Sequence, residues 1–365
     1  SDMGVQDTTD IAAFVPGMVY SDSPTGTPIY SMRGIGFNES STQAAATVGI
    51  YVDEHAIPYP IMSRGPMLDV ERVEVLKGPQ GTLYGRNATG GAINFITQKP
   101  TDEFEARVNG SFGSYETVSG EGFISGPLTD SIRGRLAIRG VTSGSGWQES
   151  VSRGDELGEK DTFSARLGLA FDLGARGEAL LSASYWKDES DSLAPQFQAG
   201  NYANLGAVAD TIRPSEPAAG SIGDDATDAE WMIGRTPAYD MENTAVNLTV
   251  TYDVTDSILL TSLTSYANFK DNGSTFDRAG IAGIPVSETT APYQNGDIAD
   301  QTDGFLTQDY STIYSDIDSF AQELRISGDT DLASWVAGVY YAENDVDNLA
   351  NQSFNLTTST NGLLG

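Results

Sequence analysis

His55 is the only histidine in the 365 residues, and there is no cysteine. Without cysteine there is no disulfide scaffold, no thiolate zinc or iron–sulfur site and no thiol nucleophile. A Ser–His–Asp triad would need His55, and no serine sits in a G-x-S-x-G elbow. Residues Gly85 to Gly91 have P-loop glycine spacing, but Gly91 stands where the phosphate-binding lysine belongs. Asp316 with Asp318, and Asp345 with Asp347, resemble half a calcium loop and lack its glycine and glutamate. They are expected at solvated strand ends and loops. No catalytic residue, metal site or cofactor is therefore expected. What remains is the segment VDEHAIPYPIMSRGP (52–66), rich in Pro, Tyr and Met. His55, Tyr59 and Met62 there can touch a ligand or pack against a neighbouring wall.

Lys+Arg number 20 and Asp+Glu 51, a formal net charge of −31. Such a chain is repelled by nucleic acid and by an anionic membrane surface. No run of 18 apolar residues offers a transmembrane helix. The first ten residues have no basic or apolar region, so no signal peptide is expected in them. The mean hydropathy of −0.26 looks soluble, yet a membrane β-barrel also looks soluble, because only alternate residues face lipid.

The elements that must position these residues change character near residue 100. Before it lie short pieces. Asp7 to Thr9 cap a short helix through IAAFV, stopped by Pro16-Gly17. Then come β-rich runs at 29–33, 47–53, 72–78 and 92–97, separated by turn-rich segments. This part reads as a small α+β domain. After Lys99-Pro100 the chain becomes long alternating strands. In 162–173, Phe163, Ala165, Leu167, Leu169, Phe171 and Leu173 oppose Thr162, Ser164, Arg166, Gly168, Ala170 and Asp172. In 131–140, Ile132, Leu136 and Ile138 oppose Arg133, Arg135 and Arg139. About nine strands follow this pattern, near 103–113, 116–127, 131–143, 160–173, 178–188, 243–254, 257–270, 318–328 and 332–345. Most reach the roughly 9–11 residues that cross a membrane. Short turns alternate with long acidic links, notably 189–242 and 271–317. That asymmetry suits an outer-membrane barrel, with a soluble sandwich or solenoid as the other reading. The acids of the links serve solubility or divalent-cation bridging at a lipopolysaccharide surface. A negative funnel for cationic ligands is the sharper alternative.

Residues 69–100, DVERVEVLKGPQGTLYGRNATGGAINFITQKP, resemble the plug signature of TonB-dependent outer-membrane receptors. VPGM (15–18), Met32 to Gly36, VGIYVDE (48–54), FAQELRISGD (320–329) and WVAGVYYAEND (335–345) resemble further parts of the same family. The resemblance implies a mainly β fold: a transmembrane antiparallel barrel, of 22 strands in the family, around a small α+β plug. Residues 1–100 would be the plug, N-terminally truncated, and 101–365 the first part of the barrel, C-terminally truncated. In that role Gly78, Gly81, Gly85, Gly90 and Gly91 allow tight turns and close approach, with Leu83-Tyr84 in a single helical turn. Arg33, Arg72, Lys77 and Arg86 contact the barrel or pair within the plug. His55, Tyr59 and Met62 would lie on an outward plug loop and bind ligand. The implied activity is import of a scarce nutrient, a ferric siderophore by default, with cobalamin or oligosaccharide as alternatives. The implied partners are the TonB–ExbB–ExbD machine, outer-membrane lipid and a small-molecule or metal-chelate ligand, with no nucleic acid. The location would be the bacterial outer membrane. A signalling receptor with an extra N-terminal domain is the competing reading. A barrel hydrolase is disfavoured, because His55 falls in the plug. Three structural expectations follow. Residues 1–100 lie inside the curve of the sheet. Phe163, Leu167, Leu169 and Phe171 face lipid, while Arg133, Arg135, Arg139 and Arg166 face the lumen. The strands present do not close into a barrel.

Overall fold

The computed structural model describes residues 8–23, 25–36, 46–65, 68–80, 88–150, 154–194, 227–229, 231, 236–277, 305–330 and 333–358. The N-terminal unit opens with helix α1 (Thr8–Phe14) and a hairpin of β1 (Met18–Asp22) and β2 (Pro28–Met32). A four-stranded sheet follows, built from β3 (Val48–Val52), β4 (His55–Ile57), β5 (Val70–Lys77) and β6 (Gly91–Thr97), in the order β4-β3-β6-β5. Ile11, Met18, Tyr30, Met32, Val48, Ile50, Ile93 and Phe95 form its core. Each large apolar side chain there contributes about 1.5–3 kcal/mol by leaving water. The helix and the β-rich runs stand where alternation and turn residues put them. β1, β4 and a 3₁₀ turn at Pro60–Ser63 are additions.

The nine-stranded sheet begins with β7 (Glu105–Phe112), β8 (Val118–Thr129) and β9 (Ile132–Thr142). Two short loop strands, β10 (Gln148–Ser150) and β11 (Glu156–Leu157), come next. The sheet resumes with β12 (Asp161–Asp172) and β13 (Gly177–Asp188). After the loop strand β14 (Asp228–Ala229) it continues through β15 (Met241–Thr255), β16 (Ile258–Asp277), β17 (Phe305–Asp329) and β18 (Ser334–Thr358). Every neighbouring pair in it is antiparallel, in chain order from β7 to β18. β7 and β18 do not pair with each other, so the described strands leave the sheet open.

All nine expected strands are present, and the last three are longer than their alternation suggests. β16 has 20 residues, and β17 and β18 have 25 each. Asp316, Asp318, Asp345 and Asp347 therefore lie within strands instead of at ends or loops, and they oppose one another as Asp316 with Asp347 and Asp318 with Asp345. The reason is that a strand beyond a membrane needs no apolar face, so its polar continuation carries no period-two signal. Alternation also sets the two faces. Phe163 and Leu167 are exposed on one, while Arg135 and Arg166 are 4% and 7% exposed on the other, against the N-terminal unit. At the turn end of the sheet, Arg133 pairs with Asp102, Asp172 and Glu178; Arg139 is half-buried. At the opposite end, β10, β11 and β14 form a small sheet over a core of Leu157, Ala194, Ala229 and Trp231.

Candidate functional site at the interface of the N-terminal unit and the wall

β3 and β4 are joined by Asp53 and Glu54, with φ of 50° and 69°. Positive φ at both central residues is the turn that matches strand twist, and Asn or Gly usually fill it. Here it carries two carboxylates to the wall. Asp53 accepts a hydrogen bond from the backbone N–H of Thr97 at 2.8 Å and from its hydroxyl at 2.6 Å. The Arg166 guanidinium of β12 lies 3.3 Å from Asp53 and donates to the Gln98 carbonyl at 3.2 Å and to the Thr97 hydroxyl. Glu54 takes Arg325 of β17 at 2.8 Å, and Arg325 also pairs with Glu323. A third carboxylate, Asp69, again at positive φ (59°), receives Arg135 of β9 through two parallel bonds of 2.7 and 2.5 Å. Arg135 also stacks 3.8 Å over the Phe123 ring. A forked guanidinium suits that bidentate geometry as an ammonium cannot. Asp53, Glu54 and Asp69 each trade a left-handed backbone for a wall arginine.

The segment after this turn lies along the wall. His55 is buried, with its Nε2 2.9 Å from the Thr249 hydroxyl of β15. Burial lowers its pKa below the usual 6.5, against the opposing pull of Asp53 and Glu54. Tyr59 caps the 3₁₀ turn and packs at its edge. Ile61 and Met62 enter a core with Trp186, Met241, Phe269, Phe276, Ile313 and Ile317 of the wall. At the far end, Arg64 donates to Asp188 at 3.0 Å and to the Gly26 carbonyl at 2.7 Å, and lies 3.8 Å from the Tyr239 ring centre. Burial by itself would lower the Arg64 pKa; Tyr239, Asp188 and Asp22 outweigh it and raise it. Between these fastenings the segment, its neighbours Val70 and Phe95, and the wall line a partly open cavity of about 150 Å³. No group of three or more candidate metal ligands occurs among the described residues.

Residues 1–92 match the family model of the TonB-dependent receptor plug domain. The first quarter of the chain is thus a TonB-dependent receptor plug domain, and the chain is similar to TonB-dependent outer-membrane receptors. The pesticin receptor of Yersinia pestis is 33% identical to it over 138 residues, 36% of this chain and 19% of that protein. The ferripyoverdine receptor of Pseudomonas aeruginosa is 34% identical over 140 residues, 37% of this chain and 16% of that protein. The crystal structure of the ferric yersiniabactin uptake receptor FyuA from Y. pestis is similar with a TM-score of 0.70 at 20% identity, covering 97% of this chain and 48% of FyuA. The matches thus span under a fifth of these curated relatives and about half of FyuA.

The plug and the wall meet through wall arginines paired with plug carboxylates and through an apolar cluster of Ile61 and Met62 with the wall. Of the two alternatives open for the plug arginines, a barrel carboxylate or a partner within the plug, Arg72 takes the second, while Arg64 reaches Asp188 of the wall. Arg72 stays exposed and pairs with Glu71 and Glu74 of its own neighbourhood, both at 2.9 Å. Its strand is β5, an edge of the plug sheet, so the nearest countercharges are its sequence neighbours. Arg33 is exposed at φ 52°, its backbone N–H bonded to the Gly17 carbonyl. Lys77 donates to the Pro16 carbonyl at 2.9 Å. Gly78 (φ 95°) bonds through its N–H to Gly90, and Gly90 to Thr47. Gly91 (φ 153°) lies so close to Leu76 and Met32 that a Cβ would meet both at 2.4 Å. Gly81, Leu83, Tyr84, Gly85 and Arg86 lie outside the described residues. The structure thus brings His55, Tyr59 and Met62 together on one segment, but packs His55 and Met62 against the wall. Sequence reasoning missed Asp53, Glu54, Asp69, Arg64 and Arg325. The available signal was three acids flanking strand runs, matched by inward-pointing strand arginines.

Proposed function

We propose that the receptor imports a scarce nutrient across the outer membrane, with a ferric siderophore as the leading class of cargo. The observation that carries this is the plug bound to one face of a barrel wall by separate, breakable polar fastenings. Discrete ion pairs and hydrogen bonds can be released one at a time, and the apolar cluster shared with the wall takes in only Ile61 and Met62 of the plug's fully buried side chains. Residues 1–100 act as this plug and 101–365 as barrel. Ligand binds on the loop side, and the TonB–ExbB–ExbD complex supplies the work from the periplasm. No bond of the cargo is made or broken. The relatives' names, pesticin receptor and ferripyoverdine receptor, support the iron reading. The test is accumulation of radioactive iron by cells that carry the full-length receptor as their only importer. Iron would be presented on catecholate, hydroxamate and phenolate chelators in turn, with and without a protonophore. Protonophore-sensitive uptake of at least one chelate is expected; no energy-dependent uptake of any would overturn the iron reading.

A further inference from the structure

The strand register puts a step into the wall behind the cavity. One inward row runs Ser164, Trp186, Asn243 and Phe269 across β12, β13, β15 and β16. The next row toward the turn end runs Arg166, Ser184, Ala245 and Ala267, and Ser319 of β17 continues it. Beside the rings of Trp186 and Phe269, the serines and alanines of that second row stop at a β-carbon or one atom beyond it. Arg166 at its end is taken up by Asp53 and the Gln98 carbonyl. Facing the low row, the plug presents Ile57, Pro58, Met62, Leu68 and Phe95. The space left between is the cavity of about 150 Å³, and its lining is mostly apolar. An apolar cavity of that order stays dry and takes in one benzene ring. Two polar residues border it. Ser164 is 3% exposed and Asn243 6%. Among the described residues, neither Ser164 Oγ nor Asn243 Oδ1 finds a hydrogen-bond partner. The two residues are two strands apart, about 10 Å, so one water cannot serve both. A buried polar atom left unmet is costly, so the site calls for a guest that brings its own hydrogen-bonding group.

We infer that the cavity is a binding site for a small, uncharged arene carrying a hydroxyl group, and that such a guest braces the plug against the wall. A flat ring fits over side chains as short as Ser184, Ala245 and Ala267, and Trp186 and Phe95 in the lining offer it aromatic contacts. Its hydroxyl donates to Asn243 Oδ1, which is otherwise unmet. A charged guest is disfavoured, because Arg166 is already paired with Asp53 and an ion would give up its water without a countercharge. The guest touches plug and wall at once, so it binds only while they are docked, and its binding free energy adds to their docking. The test reads binding and docking without uptake, so the site stands or falls independently of the importer reading.

The chain has no cysteine, so Ser184→Cys places a single thiol in it, at the cavity. The variant would be made in the full-length, detergent-solubilised receptor and labelled with a small uncharged methanethiosulfonate, with the unsubstituted receptor as the blank. The guests are phenol and toluene, which match in size and differ in the hydroxyl. Both are expected to slow labelling. Asn243→Leu, near-isosteric, should raise the half-protecting concentration of phenol about fivefold and leave that of toluene no higher. Comparing each guest with itself cancels its partition into detergent. Ala245→Leu fills the cavity and should raise both concentrations at least about tenfold, and Ala267→Leu should do the same from the neighbouring strand. Phenol at ten times its half-protecting concentration should slow proteolysis of the plug about tenfold, because cleavage follows the undocked fraction. No protection by either guest at saturation overturns the site. An equal effect of Asn243→Leu on phenol and toluene overturns the hydroxyl class. Protection that survives Ala245→Leu or Ala267→Leu, in receptor whose heat-modifiable gel mobility shows a folded barrel, puts the guest elsewhere and overturns the site. If neither leucine variant folds, the Asn243→Leu comparison decides alone. A protected thiol without slower proteolysis overturns the brace.

Discussion

A buried guanidinium keeps its charge, so a countercharge must meet it within a few ångströms. Arg135 is 4% exposed and Asp69 6%. Removing one partner strands the other in a site that cannot hydrate it, at a cost of about 3–5 kcal/mol. Asp69→Asn should therefore loosen the plug by about that amount, read as lower denaturant resistance and faster proteolysis at the plug. Arg135→Lys should lose most of the same stability, because an ammonium cannot repeat the two parallel bonds. Wild-type resistance in both variants would mean that this pair carries no load. His55 answers to pH instead. Its folded pKa lies below 6.5, so on acidification the unfolded chain takes up the proton first. The stability tied to neutral His55 is complete above 6.5 and falls as pH drops from there toward the lowered value. Melting of the detergent-solubilised receptor should show that loss, and His55→Gln should flatten it while keeping a polar contact to Thr249. The same slope in His55→Gln would assign the effect to other groups.

At the scale of elements, the plug's turns depend on glycines that are not equivalent. Gly78 and Gly91 both have positive φ, but Gly78 has open space where Gly91 meets Leu76 and Met32. Gly78→Ala pays only the backbone penalty of about 1–2 kcal/mol, while Gly91→Ala adds a clash between β2 and β5. Gly91→Ala should thus leave less folded receptor in the membrane than Gly78→Ala; equal yields would refute the distinction. Strands were legible from residues because one face of each meets lipid and the other a wet interior. Twelve alternating residues in 162–173 mark that segment as a strand with one apolar and one wet face. The inward set of arginines was legible for the same reason. Their partners were not: Arg135 and Asp69 are 66 residues apart, and Arg166 and Asp53 are 113. Alternation fixes a direction, and only the packed tertiary structure supplies what lies at the end of it. Segment 52–66 was legible as an unusual stretch. Its composition could not tell an outward loop from a strip pressed on the wall, since Pro, Tyr and Met suit both.

At the scale of the molecule, the outer face of the sheet marks its own depth in the membrane. Opposed residues on β17 and β18 point to the same side. From the turn upward on that side they are Gly328 with Trp335, Ile326 with Ala337, Leu324 with Val339 and Gln322 with Tyr341. Next come Phe320 with Glu343, Asp318 with Asp345 and Asp316 with Asp347. The apolar run starts at an aromatic and ends at a block of carboxylates, after close to the 9–11 residues that a tilted strand needs to cross. Like charges directly opposite one another are unfavourable, and in hydrocarbon five carboxylates would be prohibitive, so the acids lie above the boundary. From Asp345 to the end of β18 at Thr358 the ribbon then rises about 40 Å along the strand, at about 3.3 Å per residue. The depth assignment predicts a gradient. Val339→Arg, near the middle of the run, should cost about 2–4 kcal/mol, whereas Asp347→Arg should cost about 0–1 kcal/mol. Refolding of the full-length receptor into lipid vesicles, titrated with denaturant, measures both. A single nitroxide at each position gives the same answer independently, with oxygen broadening the label at Val339 and a water-soluble nickel chelate the label at Asp347. If the label at Asp345 proved as lipid-exposed as the one at Val339, the boundary would lie higher and the acids would need countercharges within the membrane.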